Sequence, residues 1–321
     1  MILSPLNSLH AAADLVHKVI PPTPQICWPL LSQRAEATVW VKHENHTPIG
    51  AFKVRGGIVY MEELKRRDPQ VSGVIAATRG NHGQSVAFAA SRAGLSSVLV
   101  VPQGNSREKN AAMRAFGAEL VEYGGDFQEA YEQAMVLAKT RRLHMIPSFD
   151  EPLLRGVASY ALELFRAVED LEAVYVPIGL GSGICGTIAA RDALGLRTEV
   201  IGVVASHAPA YAISYASGRP VASSVTPTIA DGMAVRVPDP AALEIILKGA
   251  SRVVTVEEDE IEAAMRHLFS DTHNVAEGSG ASPLAALLQE RERMRRGRRV
   301  ALILSGGNVD RDVFAKILIE K

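Results

Sequence analysis

Lys53 stands in Gly50-Ala51-Phe52-Lys53-Val54-Arg55-Gly56-Gly57, between an aromatic ring and small residues, where a turn gives way to a helical pattern. Apolar neighbours disfavour the ammonium form, so burial would lower the pKa of this amine and expose it as a nucleophile. A lysine of this kind forms a Schiff base with a carbonyl compound. The plain alternative is a surface lysine near a helix start that lays its stem on apolar neighbours. Three further segments bear on the choice.

Gly179-Leu180-Gly181-Ser182-Gly183, with Gly186 just beyond, follows an apolar strand ending at Pro177 and precedes the helical Thr187-Ile188-Ala189-Ala190. Glycines there let backbone N–H groups converge, and the helix dipole adds positive potential, so the turn can hold a phosphate. No Gly-Lys-Ser/Thr closes it as in a nucleotide-binding P-loop. Gly181, Gly183 and Gly186 make a partial dinucleotide fingerprint, which keeps a nucleotide-binding oxidoreductase in view although the position in the chain is wrong for it. Thr78-Arg79-Gly80-Asn81-His82-Gly83-Gln84 also lies after a strand (74–77) and before a helix expected to begin near Ser85. Its polar side chains and amides could bind a carboxylate, and Asn81 could donate to a ring oxygen. An Asn-based turn with a helix cap is the simpler reading, with His82 a structural hydrogen-bonder. Ser305-Gly306-Gly307-Asn308 ends another strand, and Ser305 would present a neutral hydroxyl unless the segment is only a tight turn. Four such loops, three at strand ends, point toward one cleft.

The elements that must position these loops alternate between strand and helix. Short apolar, β-branched runs at 38–42, 74–77, 97–101, 118–122, 173–177, 199–203 and 300–304 read as buried strands. Helical patterns at 85–93, 107–116 and 127–140 lie between them, with Gly94 and Gly117 at plausible helix ends. The expected fold is α/β with two lobes, each a mostly parallel sheet flanked by helices. A chain of 321 residues can carry both. With 34 basic and 35 acidic side chains the net charge is -1, which offers no field for nucleic acid or an acidic membrane, so the partner is a small molecule. Cys27 and Cys185 are too few for a disulfide framework, which favours a reducing cytoplasm. No charged-then-apolar segment opens the sequence and no apolar run approaches about 18 residues, so neither secretion nor a membrane span is expected. The basic cluster 291–299 is interrupted by Glu292 and reads as a solvated helix end rather than a polyanion site.

Taken together, the four loops resemble those of the fold type II pyridoxal phosphate enzymes, and within them the serine/threonine dehydratase family, over nearly the whole chain from Thr23-Pro24 onward. The resemblance implies a large cofactor-binding domain of residues 1–53 and 149–321 and a small domain of 54–148. It implies that Lys53, preceded by Phe52, holds pyridoxal 5'-phosphate, that Asn81 bonds the ring hydroxyl and that Ser305 bonds the pyridine nitrogen. Gly179, Leu180, Gly181, Ser182 and Gly183 would hold the phosphate, and Thr78, Arg79, Gly80, Asn81 and His82 the substrate. Glu277, in Glu277-Gly278-Ser279-Gly280-Ala281-Ser282-Pro283, would lie near the ring or cap a helix. The chain departs from the family where Ala51 replaces a serine, where Thr78-Arg79 replaces Ser-Gly or Ser-Ser, and where Ser182 interrupts a tetraglycine. The first two changes are expected to face the substrate. Residues 204–210 carry no carboxylate, so no divalent metal is expected. The segment after Asn308 has no room for the regulatory domain of biosynthetic threonine dehydratases, which suggests the short, catabolic type, a homodimer or homotetramer. A neutral Ser305 at the ring nitrogen stabilises a carbanion poorly, which favours β-elimination of water from a 3-hydroxy amino acid to a 2-oxo acid and ammonia. Threonine, serine, phenylserine and hydroxyaspartate are all candidate substrates. Racemisation, β-replacement and a non-catalytic ligand sensor are the alternatives.

Overall fold

The computed structural model describes residues 4–293 and 295–319. Its strands are β1 (Gln25–Cys27), β2 (Thr38–His43), β3 (Gly73–Ala77), β4 (Ser96–Val101), β5 (Glu119–Glu122), β6 (His144–Met145), β7 (Ala173–Pro177), β8 (Glu199–Ala205), β9 (Arg252–Val256) and β10 (Arg299–Leu304). They form two sheets. One has six strands in the order β1-β2-β10-β7-β8-β9, the other four in the order β5-β4-β3-β6. Every pairing is parallel except that of β1 with β2.

β7 and all but the first residue of β10 are buried, which is why they read as unbroken apolar runs: helices cover both faces of a parallel sheet. β10 lies between β2 and β7, pairing Leu304 with His43 and Leu302 with Tyr175. The segments that leave β7 and β10 at their C-terminal ends therefore emerge side by side. Helix Glu151–Ala167, absent from the sequence expectations, packs on both Lys53–Arg67 and Ser182–Ala193. It fixes the helix that starts at Lys53 relative to the one that starts at Ser182.

A buried charge cluster adds to that constraint. Arg55, with no exposed surface, pairs with Glu44 (2.7 Å) and Glu163 (2.6 Å), and buried Lys42 reaches Glu163 at 2.6 Å. Two cations and two carboxylates from β2 and the residue after it, from helix Lys53–Arg67 and from helix Glu151–Ala167 thus neutralise one another out of water.

Two helices begin earlier than the sequence suggests. The one expected near Ser85 starts at Asn81, and the one inferred from Thr187 starts at Ser182. In the first, the Thr78 hydroxyl accepts the amides of Gly80 (3.0 Å) and Gly83 (2.9 Å), supplying a cap from outside the helix. In the second, Gly181 occupies the N-cap position at φ 101, a left-handed conformation that suits glycine. The basic cluster after Gln289 is ion-paired at the surface, Arg295 with Glu172, Arg296 with Glu36 and Arg298 with Glu199; Met294 lies outside the described residues. No helix among the described residues is long and apolar enough to cross a membrane.

Candidate active site

Lys53 opens the helix Lys53–Arg67, and its Nζ donates to Ser182 Oγ at 2.9 Å. Ser182 is the first residue of the helix that follows the glycine turn. Residues 129 apart in sequence are thereby brought together, as the four-loop pattern requires. Lys53 lines a small cavity with Gly56, His82, Ser148, Leu153, Val157 and Ser182. A little of its surface reaches that cavity, but protein surrounds the amine, and this burial lowers its pKa to about 8. Its nitrogen also sits 4.9 Å from the centroid of the Phe52 ring, which in turn meets Tyr160 edge-on.

Tyrosines take up the carbonyls of the glycine turn. Tyr211 donates to Leu180 O (3.0 Å) and Tyr160 to Gly183 O (2.8 Å). The first-turn amides of the helix Ser182–Ala193 remain, as at any helix start, without intrahelical acceptors. A left-handed glycine, a helix start and a serine hydroxyl make a site suited to a phosphate dianion.

The segment after β10 is tied to the lysine segment. Phe52 N donates to Ser305 O (3.0 Å), Gly307 N to Gly50 O (2.9 Å) and Glu277 N to Gly306 O (3.1 Å). Ser305 therefore lies beside Phe52, next in sequence to Lys53, and Glu277 lies beside Gly306. Asn81 Nδ2 donates to Glu277 Oε1 at 2.6 Å. Burial pushes the Glu277 carboxyl up to about 7, against the opposing charge of Lys109.

Arg79 alone of the substrate loop's residues Thr78 to His82 is exposed, and it has no ion-pair partner among the described residues. Thr78 is buried, with its hydroxyl engaged by the loop's own amides. His82 shares the cavity with Lys53, and burial, helped by the lysine's charge, lowers it to about 3, so its ring is neutral. The expectation that Ala51 faces the substrate does not hold. It is 0 % exposed and packs in an apolar cluster with Ala12, Val16, Ile49 and Val54, its backbone held by Thr47 Oγ1. A small apolar residue there fills core space.

Lys109, Asp231 and Ser148 were missed from sequence. Lys109 sits in an otherwise exposed-looking charged helix, and only the fold shows its ammonium against Asp231 and Glu277. Ile229-Ala230-Asp231-Gly232 carried a weak signal, an acid beside a glycine ahead of a proline-marked helix.

Three buried side-chain atoms near these loops have neither a hydrogen-bond nor an ion-pair partner among the described residues: His82 Nε2, Gln84 Nε2 and Ser279 Oγ. Such atoms are costly unless a ligand or water meets them. A nucleophilic amine, an anion-binding turn, an amide donor, a hydroxyl and several orphaned polar atoms suit a phosphorylated heterocyclic aldehyde.

Residues 16–306 match the family model described as pyridoxal-phosphate dependent enzyme. The chain belongs to that family, and its cofactor is pyridoxal 5'-phosphate. It is 36% identical over 307 residues to the L-threonine ammonia-lyase of Geobacter sulfurreducens, covering 95% of this chain and 76% of that one. The catabolic L-threonine dehydratase of Escherichia coli K12 is 32% identical over 87% of this chain and 85% of its own. Among solved structures, a pyridoxal 5'-phosphate-dependent aspartate racemase superposes with a TM-score of 0.91 at 28% identity, covering 97% and 98% of the two chains. The processed form of threonine deaminase isoform 2 from Solanum lycopersicum does so with 0.89 at 29%, covering 99% and 95%. The family match removes the nucleotide-binding oxidoreductase.

Proposed function

We propose that this enzyme removes water from a 3-hydroxy amino acid to give a 2-oxo acid and ammonia, with Lys53 as the residue that holds the cofactor and moves the Cα proton. The observation that carries the reading is the contact of the Lys53 amine with Ser182 at 2.9 Å, which joins a buried nucleophile to an anion-binding helix start. Bound pyridoxal phosphate supplies an electron sink for the pair left at Cα. The turn 179–183 would take the phosphate, the second N–H of Asn81 the ring hydroxyl, and Ser305 the ring nitrogen. The first-turn amides of Asn81 and His82 would take the substrate carboxylate, the Gly80 amide being engaged by Thr78. The Cα proton would pass to Lys53, one proton would leave with the β-hydroxyl as water, and the enamine, once released, would take up a water and break down to the oxo acid and ammonia.

The two named dehydratase and ammonia-lyase relatives support the reaction, and the small-molecule partner follows from it. Among candidates bulkier than threonine and serine, exposed Arg79 favours an acidic side chain such as that of 3-hydroxyaspartate over an aromatic one. We also assign 54–148 to the small domain and the remainder to the large one, and propose a homodimer or homotetramer in the cytoplasm. Light scattering would read the oligomer.

The test is ammonia and 2-oxo acid release from threonine, serine, phenylserine and 3-hydroxyaspartate, in both enantiomers and, for all but serine, both diastereomers. Equal amounts of the two products from at least one are expected. Inversion at Cα without ammonia would instead favour a racemase, as the likeness to the aspartate racemase structure allows.

A further inference from the structure

Five side chains form a zipper across the two lobes beside this site. Asn308 Nδ2 donates to Asn81 Oδ1 (2.8 Å) and to Ile49 O (2.8 Å), and Asn81 Nδ2 donates to Glu277 Oε1 (2.6 Å). Glu277 Oε2 lies 3.5 Å from Lys109 Nζ, which reaches Asp231 Oδ2 at 2.6 Å. Asn81 and Lys109 belong to helices of the four-stranded sheet, whereas Asn308, Glu277 and Asp231 follow or flank strands of the six-stranded one. The order therefore alternates from lobe to lobe. Around Lys109 the lobes meet twice more, through Ser106 Oγ to Asp310 Oδ1 (2.5 Å) and Arg311 N to Glu108 Oε1 (3.0 Å).

These contacts dictate which way the Asn81 amide points. Its oxygen faces an N–H of Asn308, and one of its own N–H groups faces a carboxylate. Turned over, it would set N–H against N–H and oxygen against oxygen. In the observed sense its second N–H is left for a ligand. Lys109 acts on this arrangement twice. Its ammonium is the cation nearest Glu277 in the network, and its stem lies over the backbone of Gly80, where an added Cβ would come within 2.4 Å of Lys109 Cδ. Gly80 immediately precedes Asn81.

We propose that Lys109 is a positioning residue. By reaching from the small lobe to Glu277 and Asp231 of the large one, it keeps Glu277 a hydrogen-bond acceptor and so aims Asn81 at the cofactor ring, coupling lobe closure to alignment of the site. This rests on the cofactor reading proposed above. The raised Glu277 pKa agrees with a buried acid that depends on a nearby cation.

Lys109→Met keeps most of the stem and removes the charge; Lys109→Arg restores the charge. With Lys53 intact, Lys109→Met should still hold the cofactor, but with a shifted or redistributed visible absorbance. Its kcat should fall about tenfold or more while KM moves less than about threefold, and Lys109→Arg should recover most of the loss. A lysine that only stabilises the fold would lower the melting temperature and leave absorbance and kcat of the folded enzyme at wild-type values, which would overturn the proposal. Should Lys109→Met not fold, Asp231→Asn loosens the same ammonium. It must then show the same absorbance change and a smaller fall in kcat; wild-type values there would equally overturn it. A wild-type enzyme with no visible cofactor absorbance would refute the underlying cofactor reading, and the proposal with it, before any variant is made.

Discussion

An amine with a pKa near 8 is about one-tenth neutral at pH 7, against about one part in three thousand for an ordinary lysine near 10.5. Burial thus raises the neutral fraction of Lys53, the form that can attack, roughly three-hundredfold at pH 7. The rate at which the cofactor-free enzyme captures pyridoxal phosphate should therefore climb with pH through a midpoint near 8, because protonation removes the reactive form below it. A stopped-flow series across pH 6 to about 10 reads this, and a midpoint near the usual lysine value would contradict it. If Arg79 reads the substrate side chain as proposed, Arg79→Ala should raise KM for 3-hydroxyaspartate by about tenfold or more and leave KM for threonine within about twofold, since only the former brings a second carboxylate. Lys53 was legible because its own neighbours are apolar. Lys109 was not, because its burial is created by Asp231 and Glu277, over a hundred residues away.

Where the helices begin decides what the loops can do. Both helices were expected several residues late, the first near Ser85 and the second from Thr187. A threonine hydroxyl outside one helix and a left-handed glycine ahead of the other start them sooner, which puts Asn81, His82 and Ser182 in first turns. Seven of the ten described strands were legible to within a residue or two at each end, most of them as buried apolar runs, whereas β1, β6 and β9, short or largely half-buried, carried too little signal and were passed over. The charge cluster under helix Lys53–Arg67 was not, because Glu163 comes from a helix that the sequence reading passed over. Removing one member should be costly: Arg55→Met is expected to destabilise by about 3–5 kcal/mol, leaving two carboxylates with one cation. Denaturant unfolding measures this, and a loss under about 1 kcal/mol would refute it. Burial pushes Glu163 up, but Arg55 and Lys42 outweigh it and hold it down at about 2, below its ordinary 4.5. Its contribution is in full force above the ordinary value and is lost as pH falls through about 2.

At the scale of the molecule, two parallel sheets bring the segments after β3, β7 and β10 to one crevice, the usual place for a ligand in this architecture. The order of elements made two lobes legible. What crosses between them was not, because pairs such as Lys109 with Asp231 and Ser106 with Asp310 join residues that no local pattern links. The interlobe zipper and the buried amine nevertheless serve a single claim, that pyridoxal phosphate is joined to this chain at Lys53. Borohydride reduction of the purified enzyme, followed by proteolysis and mass spectrometry, tests it directly. One phosphopyridoxyl group per chain on the peptide containing Lys53, abolished in Lys53→Ala, is the expected result. The label on another lysine, or an undiminished label in that variant, would contradict the account.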